Sequence, residues 1–508
     1  MTVLAAACGG PSTTEKIEPT TKAPAIAKPP PAKSNDHPPE GDIVTKEVLA
    51  MNGPDYGRPP TDFRKGSVAA IATPKAKKTD RGFEVQFPSH ATITTPTVYD
   101  GKVIVSGGFQ GTQLFAYESK TGKPVWGIDL HDDGPSSPAC ERGTCVISTE
   151  SCTVFAIDAE TGKQRWSYWL GDPLTSAPTI AGDLAFVSYP ASATGDGKPL
   201  PPGANHVLAA FELESGKLKW QLWLDGDVMS SPVAVGEFVY VSTFAGTVIK
   251  IEQPTGKIRY AMRAKATSAP VVQFGADGVE SMYYTRRGEH EADGAEESII
   301  RADHNEPKTK YETAKHKAAY IDPKVQGDSS YAKSSASQDA HNGFSGGAPA
   351  SAAADVAANQ VGVGSVSSIQ GFQGSRIVHL RDRNVNTMGN EVIATDVDSG
   401  KELWTIKLDG DEKSGGALGT APLAAGSHAI LYGTLGGEIV SVDPSNGKRR
   451  DAYKIGGPVR SQPVVDGGWI YVGTEDGRLV AIDTKDPLVT GWPTWGGNAQ
   501  RTGVATFE

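Results

Sequence analysis

Ala156-Ile157-Asp158-Ala159-Glu160-Thr161-Gly162-Lys163-Gln164-Arg165-Trp166 decides how the rest of this chain is read. Its form, Ala-x-Asp-x-x-x-Gly-Lys-x-x-Trp, returns in full at Ala394…Asp396…Gly400…Trp404. Two further copies use Glu for Asp: Ala116…Glu118…Gly122…Trp126 and Ala210…Glu212…Gly216…Trp220. Weaker copies sit at Lys250…Glu252…Gly256…Tyr260, Arg301…Asp303…Pro307…Tyr311, Ser441…Asp443…Gly447…Asp451 and Ala481…Asp483. A fixed unit repeated along a chain means an array of one supersecondary element, each copy burying its neighbour's face.

The acidic positions step by 40, 54, 40, 51, 93, 47 and 40 residues. A unit of ~40 residues with insertions fits one four-stranded blade of a propeller. Upstream of each acid lies a matching half, clearest at Ser461-Gln-Pro463-Val-Val-Asp-Gly-Gly-Trp-Ile-Tyr-Val-Gly473-Thr-Glu-Asp-Gly477. It reads strand, Asp-Gly-Gly turn, strand, Asp-Gly turn, the glycines supplying the positive φ that tight hairpins need. The predicted fold is therefore all-β: eight blades over residues 81–490, then a tail over 491–508. In each unit the small residue lets strands pack closely and the acid caps the following turn. The aromatic residue docks on the next blade, which assigns docking roles to Trp126, Trp166, Trp220, Tyr260, Tyr311 and Trp404. No outer strand follows Asp483, so residues 83–87 are expected to complete the last blade and hide its edge.

Composition agrees. The chain has 508 residues, with 59 Gly and 35 Pro, close to a fifth of the total, against ~12% in ordinary domains. Its net charge of −10 leaves no basic surplus for phosphates, so a nucleic-acid partner is not expected. There is no apolar run near the ~18 residues of a membrane helix and no Gly-x-x-x-x-Gly-Lys phosphate loop.

The repeat resembles the tryptophan-docking repeat of PQQ-like, quinoprotein-type eight-bladed propellers. That family includes PQQ-dependent dehydrogenases and the outer-membrane assembly lipoprotein BamB. The resemblance covers residues 81–503, and Trp492-Pro493…Arg501-Thr502-Gly503 is similar to a closing box of such propellers. It implies either of two activities. The first is a non-catalytic scaffold that binds envelope or outer-membrane proteins through its loops or strand edges, as a monomer within a larger complex. The alternative is a periplasmic dehydrogenase holding PQQ and calcium in the central channel beneath two adjacent cysteines. This chain has no adjacent cysteine pair and no haem-attachment run, which favours the first reading and a chain without cofactor, metal or catalytic residues. A ligand-sensing propeller is a third reading.

The remaining signals are local. Leu4-Ala5-Ala6-Ala7-Cys8-Gly9 resembles the cleavage box of a bacterial lipoprotein, which implies lipidation at Cys8, residues 1–8 as the tail of a signal peptide and a start codon upstream. The expected location is the cell envelope, anchored in the outer membrane and facing the periplasm. Residues 9–80 hold 12 of the 35 Pro and few large apolar side chains, and read as a disordered tether. Cys140 and Cys145 flank a hairpin turn within disulfide reach, with Cys152 as a competitor. The large insertion, about 312–345, reads as a mobile loop, and its scattered histidines as solvent-exposed. Gln370-Gly-Phe-Gln373-Gly-Ser375-Arg376 is a candidate binding loop, its glycines permitting close backbone approach.

Overall fold

A computed structural model describes residues 44–505, apart from 109–110, 150–152, 171–175, 192–193, 244, 276–277, 288–295, 304–308, 318–376 and 411–418. Cys8, Cys152, Gln373, Ser375, Arg376 and most of the 312–345 insertion lie outside the described residues.

Eight antiparallel sheets follow one another as the blades of a propeller. Blade two shows the pattern. Its strands Ala139–Glu141, Thr144–Ser148, Thr153–Asp158 and Gln164–Trp169 run in order from innermost to outermost. The strands alternate faces, and both faces are buried against neighbouring blades, so most inner strands are apolar throughout. Seven apolar clusters fill the joints between blades.

The last blade takes its outer strand from the start of the propeller. Gly82–Gln86 pairs antiparallel with Arg478–Asp483, Phe83 opposite Ala481 and Val85 opposite Leu479. The ring is thus fastened by main-chain hydrogen bonds between residues almost 400 positions apart, and no edge is left at the junction.

The structure departs from the expected tether over residues 44–80. These residues form a strap around the outer strands of five consecutive blades. The helix Thr45–Met51 buries Val48 and Met51, and Val44 N–H donates to the Ala261 carbonyl of blade four at 3.1 Å. Asn52 brackets blade three, donating to the Trp223 carbonyl at 3.2 Å and accepting from Trp223 N–H at 2.8 Å. Arg64 bridges to Trp169 of blade two. Ala69–Ala70 pairs with the outer strand of blade one, and Lys77–Thr79 with that of blade eight. Composition misled here because the strap borrows its core. Val44, Val48 and Met51 fall at helical spacing, and three apolar side chains suffice when an existing propeller supplies the opposing surface. The loop that joins the blade-three strands Leu184–Pro190 and His206–Glu212 packs on this strap, with Gly57 N–H donating to Pro199 O and Gly195 N–H to Arg58 O.

Candidate functional site

The repeat aromatics lock each blade to the next. Trp126, Trp166, Trp220 and Trp404 donate their indole N–H groups to Ala159, Leu213, Gln253 and Pro444 carbonyls at 3.1, 2.8, 2.7 and 2.8 Å. Each acceptor lies in the turn after the acidic residue of the following blade. Each indole also covers that turn's glycine. A Cβ on Gly162, Gly216, Gly256 or Gly447 would come within 2.6–2.8 Å of the ring. These glycines are required twice, for positive φ and for contact. Tyr311 does the same with its hydroxyl, donating to Val397 O at 3.0 Å over Gly400.

Tyr260 reaches the next blade too, donating its hydroxyl to Glu280 at 2.8 Å. Glu280 is buried and also meets Tyr240 and the Lys250 ammonium. Lys250 stands where the strongest repeats carry Ala, so this joint adds a buried ion pair to its apolar packing. The sequence reading missed Phe83, which fills the tryptophan position of blade eight against Gly122. The alignment of Gly82-Phe-Glu-Val-Gln-Phe87 with the repeat was the available signal.

The acidic residues serve the turns. Asp396 accepts Ser399 N–H and O–H at 2.8 and 2.7 Å, and Asp443 accepts the same groups of Ser445 at 2.8 and 2.6 Å. These bonds, led by the serine hydroxyls, hold both carboxyls below the ordinary range. A carboxylate committed in this way is scaffold, not an acid–base group.

Cys140 and Cys145 face each other as register partners in blade two, their Cα atoms 4.0 Å apart and their sulfurs joined. His316, expected in solvent, is partly buried and sits 3.0 Å from Glu391.

The axis carries the most informative geometry. The C-terminal tail runs across it and bonds to the innermost strands of blades eight, one, three, four and six. Val465 exchanges main-chain bonds with Trp492. Val98 N–H donates to Pro493 O, Ile180 N–H to Ala499 O, Ala234 N–H to Gln500 O and His379 N–H to Gly503 O. Arg501 is the centre of this plug and fully buried. Its guanidinium donates to Trp495 O at 2.6 Å, Ser137 O and Thr494 Oγ1 at 3.0 Å, and Pro178 O at 3.3 Å. A cation surrounded by carbonyl dipoles can be buried because its charge is spread over fixed acceptors.

PQQ with calcium would need anionic metal ligands and cations for its carboxylates along this axis. Among the described residues no group of three His, Cys, Asp or Glu is placed to hold a metal. The buried arginine is turned toward carbonyls, and the two paired cysteines are five positions apart within one hairpin. The described residues do not fit the group.

No curated protein matches the chain in sequence. Among solved structures it is similar to BamB from Moraxella catarrhalis, at 15% identity and a TM-score of 0.50, over 82% of this chain and 97% of that one. It is also similar to the computationally designed protein Ika8, at 13% identity and a TM-score of 0.50, over 78% and 98%. A quinohemoprotein alcohol dehydrogenase from Pseudomonas putida HK5 aligns at 10% identity with a TM-score of 0.44, over 88% and 83%. Likeness at these identities speaks to fold alone. The family described as outer membrane protein assembly factor BamB matches over residues 110–197, 192–283 and 373–496. Those segments span more than half of the sequence, and the chain belongs to that family.

Proposed function

We propose that this chain is a non-catalytic scaffold of the bacterial cell envelope that binds other proteins in an outer-membrane assembly complex. The observation that carries the reading is the plugged axis. At the level of the innermost strands the axis is taken up by the chain's own tail, which supports a reading without a quinone. Function then falls to the periphery, where loops and strand edges present binding groups. Three outer strands lie beyond the strap in the described residues: Thr309–Glu312 of blade five, Glu402–Lys407 of blade six and Arg449–Lys454 of blade seven pair on one side only, whereas those of blades one and eight carry an added strand. An open edge offers main-chain donors and acceptors to an extended segment of a partner. The same reading places a lipid anchor on Cys8 and the protein at the outer membrane.

Photo-crosslinking in intact envelopes tests it. A crosslinker at exposed Leu403 on blade six should capture an outer-membrane assembly protein, and one at exposed Val125 on covered blade one should not. Equal capture at both sites, or capture of unrelated proteins only, overturns the reading. Membrane fractionation of Cys8→Ser checks the anchor: release into the soluble fraction is expected, and unchanged sedimentation refutes it.

A further inference from the structure

The rung level with the C-terminal plug is built of His, Asn and Thr in one blade, of apolar residues or cysteines in six, and of Val98, Val103 and Tyr117 in blade one. It crosses three strands, as Cys140–Cys145–Ile157 in blade two, Ala234–Val239–Ile251 in blade four and Val465–Ile470–Ile482 in blade eight. Blade six instead has His379–Asn384–Thr395. Two residues further along the same strand face stands Asn386. All four side chains are at most 2% exposed. They face blade five, where the His379 ring lies 5.0 Å from that of Tyr283.

One contact is made inside this group. His379 Nδ1 lies 2.7 Å from Asn384 Oδ1. A carbonyl oxygen only accepts, so Nδ1 carries the proton and Nε2 presents a bare lone pair. Five atoms are then left without partners among the described residues: His379 Nε2, Asn384 Nδ2, both amide atoms of Asn386 and Thr395 Oγ1. Buried polar groups in folded proteins are nearly always paired, with protein or with a bound molecule. An isolated orphan, such as the Tyr117 hydroxyl in the matching rung of blade one, invites no conclusion, but five in one joint do.

We propose that blades five and six enclose a binding site for a neutral, hydrogen-bonding oxygen compound, either ordered water or a small polyol or amide. The donor set selects this class. It offers acceptors at His379 Nε2 and Asn386 Oδ1, donors at the two Asn amides, and a hydroxyl that serves either way. It holds no carboxylate for a divalent cation. The nearby Arg301 guanidinium is already held by Asp303 and Asp398, so no free cation awaits an anion.

A high-resolution crystal structure of the full chain tests the site, with native mass spectrometry to name the source. Oxygen-sized density within hydrogen-bond reach of His379 Nε2 and Asn386, with no retained mass, identifies water. Extended density with a retained mass of a small molecule identifies the polyol or amide. Either result supports the site. A dry joint, or these atoms paired with other side chains of the chain, overturns it. A solution check avoids dependence on crystals: the His379 ring should show magnetisation transfer from water or a bound hydroxyl in the wild-type protein. The triple variant His379→Val, Asn384→Val, Thr395→Val, which copies the apolar rung, should lose the density and any retained mass. If that variant does not fold, the wild-type nuclear-magnetic-resonance result decides alone.

Discussion

Replacing Arg501 with Met removes the centre of the axial plug while keeping most of its volume. Four acceptors lose their donor, at 2.6, 3.0, 3.0 and 3.3 Å. Hydrogen bonds to a charged group contribute about 1.5–3 kcal/mol each, and unpaired buried acceptors carry a desolvation cost of similar size. The two shortest bonds alone come to about 3 kcal/mol or more on that scale. Relief of the guanidinium's own burial offsets part of the sum, as when buried ionic networks are replaced by apolar groups. The net expectation is a loss of about 3–5 kcal/mol. Urea unfolding, with hydrogen exchange on the peptides around Ser137 and Pro178, reads both the size and the place of the effect. Arg450→Met is the control. Arg450 is exposed and pairs with Asp443 at 2.7 Å, worth at most about 1 kcal/mol. Arg501→Lys keeps the charge but cannot reach four acceptors, so it should fall between the two. If Arg501→Met costs no more than Arg450→Met, the tail is not what holds the axis closed.

Gly216→Ala forces a Cβ to within 2.6 Å of the Trp166 ring at φ +70. It should cost about 2–4 kcal/mol, whereas Gly182→Ala, at φ +58 with nothing within 4 Å, should cost only about 1–2 kcal/mol. Similar unfolding midpoints for the two would remove the docking account. Val48→Asp should detach the strap helix and raise proteolytic cleavage within residues 44–60 at least tenfold, leaving the blades intact. Unchanged cleavage would mean the strap is held by something else. Acid should destabilise the protein in two stages. Burial holds the His379 pKa below its ordinary value, so the unfolded chain takes up that proton first and stability falls below about pH 6.5. The depressed turn carboxyls Asp396 and Asp443 contribute stability that is present above about pH 4 and lost below it. His379→Gln should lessen the slope of the first stage, which partly buried His206 shares, and leave the second alone; an unchanged slope between pH 7 and 5 would contradict the assignment. Peptide mapping without reductant should recover Cys140 linked to Cys145, and two free thiols there would refute the pairing.

Much of the fold was legible because the repeat writes it eight times. Spacing of the acids located the blades, and the missing strand after Asp483 pointed to residues 83–87 as the closing strand. Periodic signals survive in sequence because each copy answers the same packing problem. The strap was not legible for the opposite reason. Val44, Val48 and Met51 solve a unique problem, set by the outer strands of blades three and four, and their surroundings are rich in Pro. The axial plug was half legible: Trp492 and Arg501 stood out as a box, but nothing local says that Arg501 reaches carbonyls 364 positions away. The polar rung of blade six was visible only as Arg-Asn-Val-Asn-Thr, an ordinary-looking strand. Its oddness appears once register aligns it with its counterparts in the other blades.

The central claim is that the axis belongs to the chain's own tail and that function lies in binding at the periphery. The most direct test incubates the full chain with PQQ and calcium, removes unbound quinone by gel filtration, and measures retained quinone absorbance together with alcohol- or sugar-dependent dye reduction. The account predicts neither retained chromophore nor turnover. Stoichiometric retention with substrate-dependent dye reduction would contradict it.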